Sequence, residues 1–218
     1  MEKRKHIVIL AAGDFPTHEV PLRTLRDADF VVCCDSAYGN LKAAAPAIAA
    51  SAVVIGDGDS LPEADKMALG DRWIHVAEQD YNDLHKAMAF ATSRFSILNS
   101  QFLILGATGR REDHTIGNIG YLATFAGEYP CIDMEMLSDY GRFTLCAGIR
   151  SYATFARQQV SLFSLDPRTV IYASGLRFPV EGLHFDRWWQ GTLNEALGER
   201  VEVRSDAPVI VFLTYDPK

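Results

Sequence analysis

No stretch of the 218-residue sequence approaches the apolar length of a membrane span, and no run of lysine and arginine offers a surface to phosphate backbones. Acidic residues outnumber basic ones by 28 to 21, and the net charge of −7 argues against a general nucleic-acid binder. Cysteine is scarce. Cys33, Cys34, Cys131 and Cys146 have neither metal-ligand nor redox spacing, and the first two fall in an apolar strand pattern where buried thiols are common. Repeats, low-complexity tracts and Gly/Ser linkers are also missing. The short apolar run from Ile7 to Ala12, ended by Gly13-Asp14, reads as a first strand and not a signal peptide, so a cytoplasmic location is expected. What is present is an ordinary globular balance, 48% hydrophobic and 22% charged, with length enough for a real core.

Two patterns divide the chain. Short apolar runs at 7–12, 30–34, 53–55, 73–76 and 102–105 alternate with segments of helical spacing. The clearest of these runs from Asn82 to Phe95, with Leu84, Ala87, Met88, Ala91 and Phe95 on one face. Strands alternating with helices imply an α/β domain with a mainly parallel sheet. After Pro130 strand-like runs dominate, at 132–137, 143–146, 160–165, 170–173, 201–203 and 209–213. Asp139-Tyr140-Gly141, Asp166-Pro167 and Asp206-Ala207-Pro208 serve as turn signals between them. An α/β domain over residues 1–139 and an all-β, sandwich-like domain over 140–218 are expected.

The run Thr108 to Asn118 holds the densest chemistry. A glycine turn at Gly109, with Arg111, Asp113 and His114, sits where a strand hands over to a helix, the place where open α/β sheets bind phosphorylated ligands. Asp35, Asp57, Asp59, Asp80 and Asp83 all fall just after strands or before helices, so a parallel sheet places them along the same edge. Carboxylates crowded there call for a hard cation such as Mg2+ shared with substrate phosphates. Each residue also has a local reading. Asp57-Gly58 is a turn dipeptide, Ser60 and Glu63 are spaced as a capping box, Asp80 or Asn82 and Asp113 can cap helices, and His114 can bond a neighbouring strand. Asp35, directly after Val-Val-Cys-Cys, has no obvious structural need.

In this order the motifs resemble the thiamine pyrophosphokinase (thiamine diphosphokinase) family. Gly56-Asp57-Gly58-Asp59-Ser60 matches its Gly-Asp-x-Asp-Ser segment in full, and Gly106, Ala107, Gly109, Arg111, Asp113, His114, Thr115 and Asn118 match its glycine–arginine block. Residues 35–41, 78–87, 175–180 and 191–195 are similar to four further segments. Departures are Ser36, Ala37, Gly39-Asn40, Asn82 and Leu193, the last standing where the family usually has serine.

The resemblance implies transfer of diphosphate from ATP to thiamine, giving thiamine diphosphate and AMP. It implies that Asp57, Asp59 and Asp83 hold Mg2+, and that Asp35, Gln79 and Asp80 line the crevice. Arg111 would contact phosphates, on a loop turned by Gly109 and ordered by Asp113 and His114. Phe178, Thr192 and Asn194 would meet thiamine, in a homodimer whose site is shared between chains. Trp188 and Trp189 are further candidates for ring contacts, with a place in the core or an interface the favoured expectation. Two other readings fit the same residues: a thiamine or nucleotide sensor without turnover, and a related Mg2+-dependent phosphotransferase with another acceptor.

Overall fold

The computed structural model describes residues 3–129 and 131–217, so Pro130, where the sequence pattern changes, lies outside the described residues. The chain divides into two compact units, residues 1–121 with 129–139 and residues 122–128 with 140–218.

The first unit is built on six parallel strands: β1 (Lys5–Leu10), β2 (Phe30–Cys34), β3 (Val53–Gly56), β4 (Trp73–His75), β5 (Ser100–Leu105) and β6 (Asp133–Leu137). Their order across the sheet is β6-β5-β1-β2-β3-β4. Among the described residues six α-helices connect or flank them: α1 (Glu19–Arg26), α2 (Tyr38–Ala44), α3 (Pro46–Ala49), α4 (Glu63–Leu69), α5 (Asp83–Arg94) and α6 (Glu112–Glu128), whose residues 122–128 count with the second unit. Central strands β1 and β5 bury Ile7, Ile9, Leu10, Phe102, Ile104 and Leu105 completely, as apolar runs covered on both faces must. Helix α5 follows its periodicity. Leu84, Ala87, Met88 and Ala91 face inward, and the Asn82 side chain caps the helix by accepting the N–H of His85 at 3.0 Å. The expected capping box is not formed. Helix α4 begins at Glu63 behind Pro62 with no side-chain cap, which leaves Ser60 outside the helix.

The sheet grows outward from β1 to β4, then returns to place β5 on the other side of β1. Strand order therefore reverses between β1 and β5, and the crevice beyond their carboxyl ends is where such sheets take ligands. The two loops meet there main chain to main chain. Gly13 N–H donates to Gly106 O at 2.6 Å, and Asp14 N–H to Thr108 O at 2.9 Å.

The second unit holds β7 (Gly141–Ala153), β8 (Gln158–Ser164), β9 (Ile171–Ser174), β10 (Val180–Leu183), β11 (Gly191–Glu195) and β12 (Arg200–Pro217). Strand β12 pairs antiparallel with β7 along nearly its whole length. On its other edge β9 takes residues 202–205 and β8 takes residues 209–213, with β10 on β9 and β11 on β8. Val201, Val203, Val209, Val211 and Leu213 from both halves of β12 enter one core with Tyr152, Leu162, Ile171 and Phe185. This strand-rich, sandwich-like layout corrects one sequence reading. Asp206-Ala207-Pro208 is a bulge inside a single strand, not a turn between two, because the ladder to β7 slips between Ser205 and Val209 and then resumes.

A Cβ on Gly13 would lie 2.3 Å from Thr108 O and 2.6 Å from Gly106 O, both of them main-chain atoms that cannot swing away. Gly13→Ala is therefore expected to lower unfolding free energy by roughly 1–3 kcal/mol, read by urea denaturation.

Candidate active site

A cavity of about 460 Å3 opens at this switch point, between the β1 loop (Ala11 to Gly13), the β5 loop and the start of α5. Three residues of the β5 loop, Gly106, Gly109 and Arg110, take left-handed backbone conformations, which glycine adopts freely and arginine rarely. Arg110 is fastened there by donating to Ala12 O at 3.2 Å, so it is more than a solvated cation. Arg111 faces the cavity and is gripped by Asp113, its Nε 3.0 Å from Oδ1 and its Nη2 2.5 Å from Oδ2. The Arg111 guanidinium holds the Asp113 carboxyl down at about 2, so the pair is charged at any working pH. Asp113 thus orients Arg111 from outside the lining, while Gly109 and His114 line the cavity itself. Asn118, on α6, donates to Ala107 O at 2.8 Å and accepts from Asn82 at 3.1 Å, joining the β5 loop to the start of α5.

The acidic edge is organised differently from the sequence expectation. Asp35 is buried, accepts N–H bonds from Gly58 at 2.9 Å and Ser36 at 2.5 Å, and sits in space that only a glycine at position 56 leaves open. It has a structural need after all: it braces the Gly56–Ser60 turn. Asp57 accepts from Gln79 Nε2 at 3.0 Å and from the Asp59 N–H at 3.1 Å, and these bonds hold its carboxyl below the usual range. Asp59 and Asp80 are exposed. Asp83 reaches the cavity wall, together with Ser60 and Asn82. Burial, then the charge of Asp35, raises its carboxyl above the ordinary value, with Asp57 adding to the effect and Lys86 opposing it.

Among the described residues no three carboxylate, histidine or cysteine side chains form a ready-made set of metal ligands, although Asp83 lies within the electrostatic reach of Asp35 and Asp57. Asp35, Asp57, Asp59, Gln79, Asp80 and Asp113 stand outside the cavity lining, whereas Asp83, Gly109, Arg111 and His114 form part of it. The donor set still suits Mg2+, which takes one or two carboxylates and completes its shell with water and phosphate oxygens. The crowded, partly buried Asp83 is the observation that fits an added cation here.

Lys86 was not assigned a role from sequence. Its ammonium lies 3.5 Å from Asp83 Oδ1 with its side chain 4% exposed, a counter-charge supplied by the chain itself. The available signals were its place in the family-like segment 78–87 and its spacing, three residues after Asp83 on a helix with an apolar face, a placement normally read as solvated.

In the second unit Asn194 is buried and committed. Its side chain accepts the Phe178 N–H at 3.0 Å and the Glu195 N–H at 2.8 Å, and donates to Phe178 O at 2.8 Å. It positions Phe178 instead of presenting a free amide, whereas Phe178 and Thr192 are exposed. Trp188 and Trp189 are each 49% exposed, which rules out the core of this chain as their place. Between Gly191 and Asn194, β11 carries one more residue than β8 opposite it, and within this bulge Leu193 adopts φ 61° while 65% exposed. A left-handed leucine costs roughly 1–2 kcal/mol where glycine would cost little.

Because Lys86 favours ionised Asp83, removing it raises that carboxyl further above its unfolded value. Lys86→Met should therefore destabilise the fold by roughly 1–3 kcal/mol at pH 7.5, and by less at pH 4 as Asp83 takes up its proton. Urea titrations at the two pH values read the difference, and equal losses would count against the charge balance.

Two family models match the chain in succession. Residues 22–133 match the family model "Thiamin pyrophosphokinase, catalytic domain", and residues 141–212 match "Thiamin pyrophosphokinase, substrate-binding domain". No curated protein sequence matches significantly. Among solved structures, a thiamin pyrophosphokinase from Candida albicans superposes with TM-score 0.82 at 17% identity, covering 97% of this chain and 90% of that one. The yeast enzyme gives 0.79 at 15% identity over 98% and 87% of the two chains. One from Geobacillus thermodenitrificans gives 0.75 at 22% identity over 97% and 98%. At these identities the superpositions speak for the fold, while the catalytic-domain match alone spans more than half of the sequence. The chain belongs to the thiamin pyrophosphokinase family.

Proposed function

We propose that the cavity at the β1–β5 switch point binds ATP and that the chain passes the terminal diphosphate to thiamine, using the residues assigned below. As a family member with both the catalytic and the substrate-binding domain, the chain is an enzyme, a thiamine diphosphokinase. The observation that carries the site assignment is the Arg111–Asp113 fork, which aims a fixed cation into a cavity walled by a glycine loop.

Diphosphoryl transfer asks for positioning and charge neutralisation more than for covalent help. The thiamine hydroxyl oxygen forms a bond to the β-phosphorus, the bridge from the α- to the β-phosphate breaks, AMP departs and the hydroxyl proton is released. Arg111 holds phosphate oxygens in two-pronged fashion. Gly109 lets the main chain approach them, and His114 and Asn118 close the same wall. Of Asp57, Asp59 and Asp83, one or two would bind Mg2+ directly and the rest through its waters, the ion supplying positive charge to the phosphate oxygens. Asp35 keeps the turn that carries Asp57 and Asp59 in place, and Gln79, bonded to Asp57, fixes its orientation. Asp80 lies at the exposed margin. In the second unit Phe178, steadied by Asn194, offers a face to the flat cationic thiamine rings, with Thr192 as a polar neighbour. A cytoplasmic homodimer sharing its site between chains completes the reading. No helix among the described residues is long and apolar enough to cross a membrane.

Purified protein supplied with ATP, Mg2+ and thiamine should form AMP and thiamine diphosphate in equal amounts. Asp57→Ala and Asp59→Ala should each lower kcat about 100-fold while remaining folded by circular dichroism. Thiamine binding without AMP would replace this reading with a sensor, and AMP without thiamine diphosphate would point to another acceptor.

A further inference from the structure

Two asparagines join facing walls of the switch-point cavity, and the main chain at either end decides which way each amide points. At the start of α5 the His85 N–H donates to Asn82 Oδ1 at 3.0 Å, so the oxygen of that amide faces the helix. On α6, Asn118 Nδ2 donates to Ala107 O at 2.8 Å, so the nitrogen of that amide faces the β5 loop. One nitrogen and one oxygen are left over, and they meet: Asn82 Nδ2 donates to Asn118 Oδ1 at 3.1 Å. Turning either amide over would break two bonds and set like groups against each other, so the bridge has a single arrangement.

The bridge joins segments that carry opposite halves of the site. Among the described residues, the stretch from Ala77 to Tyr81 makes no main-chain hydrogen bond to a strand. It is moored by side chains, Gln79 to Asp57 at 3.0 Å and the adjoining Asn82 to Asn118. This stretch delivers Asp83 to the cavity, and the β5 loop delivers Arg111. Each of those charges is steadied from its own side, Asp83 by Lys86 and Arg111 by Asp113. Neither ion pair sets the distance between the two walls. The amide bridge does, and both of its members line the cavity.

We infer that Asn82 and Asn118 are a positioning pair, holding the Asp83 and Arg111 walls at the separation that one polyphosphate and its cation must span. A ligand gripped at both ends gains from a span fixed in advance, because binding then orders less of the protein. The inference rests on polyphosphate occupying the cavity as proposed above, and it holds whether or not thiamine is the acceptor.

Calorimetric titration with Mg2+-tripolyphosphate and with Mg2+-ATP tests the pair. Asn82→Ser keeps an oxygen able to cap α5 but removes the second arm that reaches Asn118. It should weaken both ligands about fivefold while the urea midpoint stays at the wild-type value. Asn118→Ala should weaken them at least as much, and the double variant no further, since the two residues form one link. Unchanged affinity in Asn82→Ser would overturn the pair. So would a loss that accompanies a lowered urea midpoint, or losses that add in the double variant. Wild-type protein that takes up neither ligand would sink the ATP site and the pair with it. Binding with these dependences but no thiamine diphosphate formed would sink the diphosphokinase reading and leave the pair standing.

Discussion

Everything at the candidate site depends on two loops approaching main chain to main chain at the ends of β1 and β5. Side chains cannot mediate contacts that short, so Gly13 and Gly106 are dictated by space, and Gly106 also by its left-handed backbone. Once the loops lie together, the β5 loop has no freedom to wander. Arg110 is then tied to Ala12, Asn118 to Ala107, and Arg111 enters the cavity from a fixed base. The precision required to place a cation on a phosphate comes from backbone hydrogen bonds, which are shorter-ranged and stiffer than any surface ion pair.

The acidic side obeys a different constraint, the balance of charge. Three carboxylates, Asp35, Asp57 and Asp83, interact through a partly buried region, and each is managed separately. Asp35 is neutralised by amide N–H groups, Asp57 by Gln79 and a neighbouring N–H, and Asp83 by Lys86. The last arrangement leaves the Asp83 carboxyl lifted above its ordinary range. The site is thus left short of positive charge beside the cavity.

How much of this was readable from sequence depended on the range of the interaction. Parallel strands and α5 follow from local periodicity, and the glycine–arginine turn follows from its position between strand and helix. The role of Asp35 was invisible because its partner is Gly58, 23 residues away, and a carboxylate after an apolar strand looks the same whether it serves a ligand or a turn. Lys86 was passed over because burial of a lysine is decided by what packs over it. The clamp between Asn194 and Phe178 and the bulge at Leu193 were likewise hidden, since both arise from pairing between segments distant in sequence. Strand β12 was cut in two at Pro208, a sound rule for turns that fails where a neighbouring strand continues past the bulge.

That long strand bears on the order in which the molecule can assemble. In the first unit, β1 to β3 acquire neighbours in the order they emerge, each linked by a local crossover. In the second, β7, β8 and β9 all await the same partner, and β12 is the last of the strands to be made. Until it arrives, each of those strands exposes an unpaired edge and an uncovered apolar face. During synthesis the second unit therefore passes through a window in which it is vulnerable to misassociation, and that window closes in a single step when one strand completes both leaves.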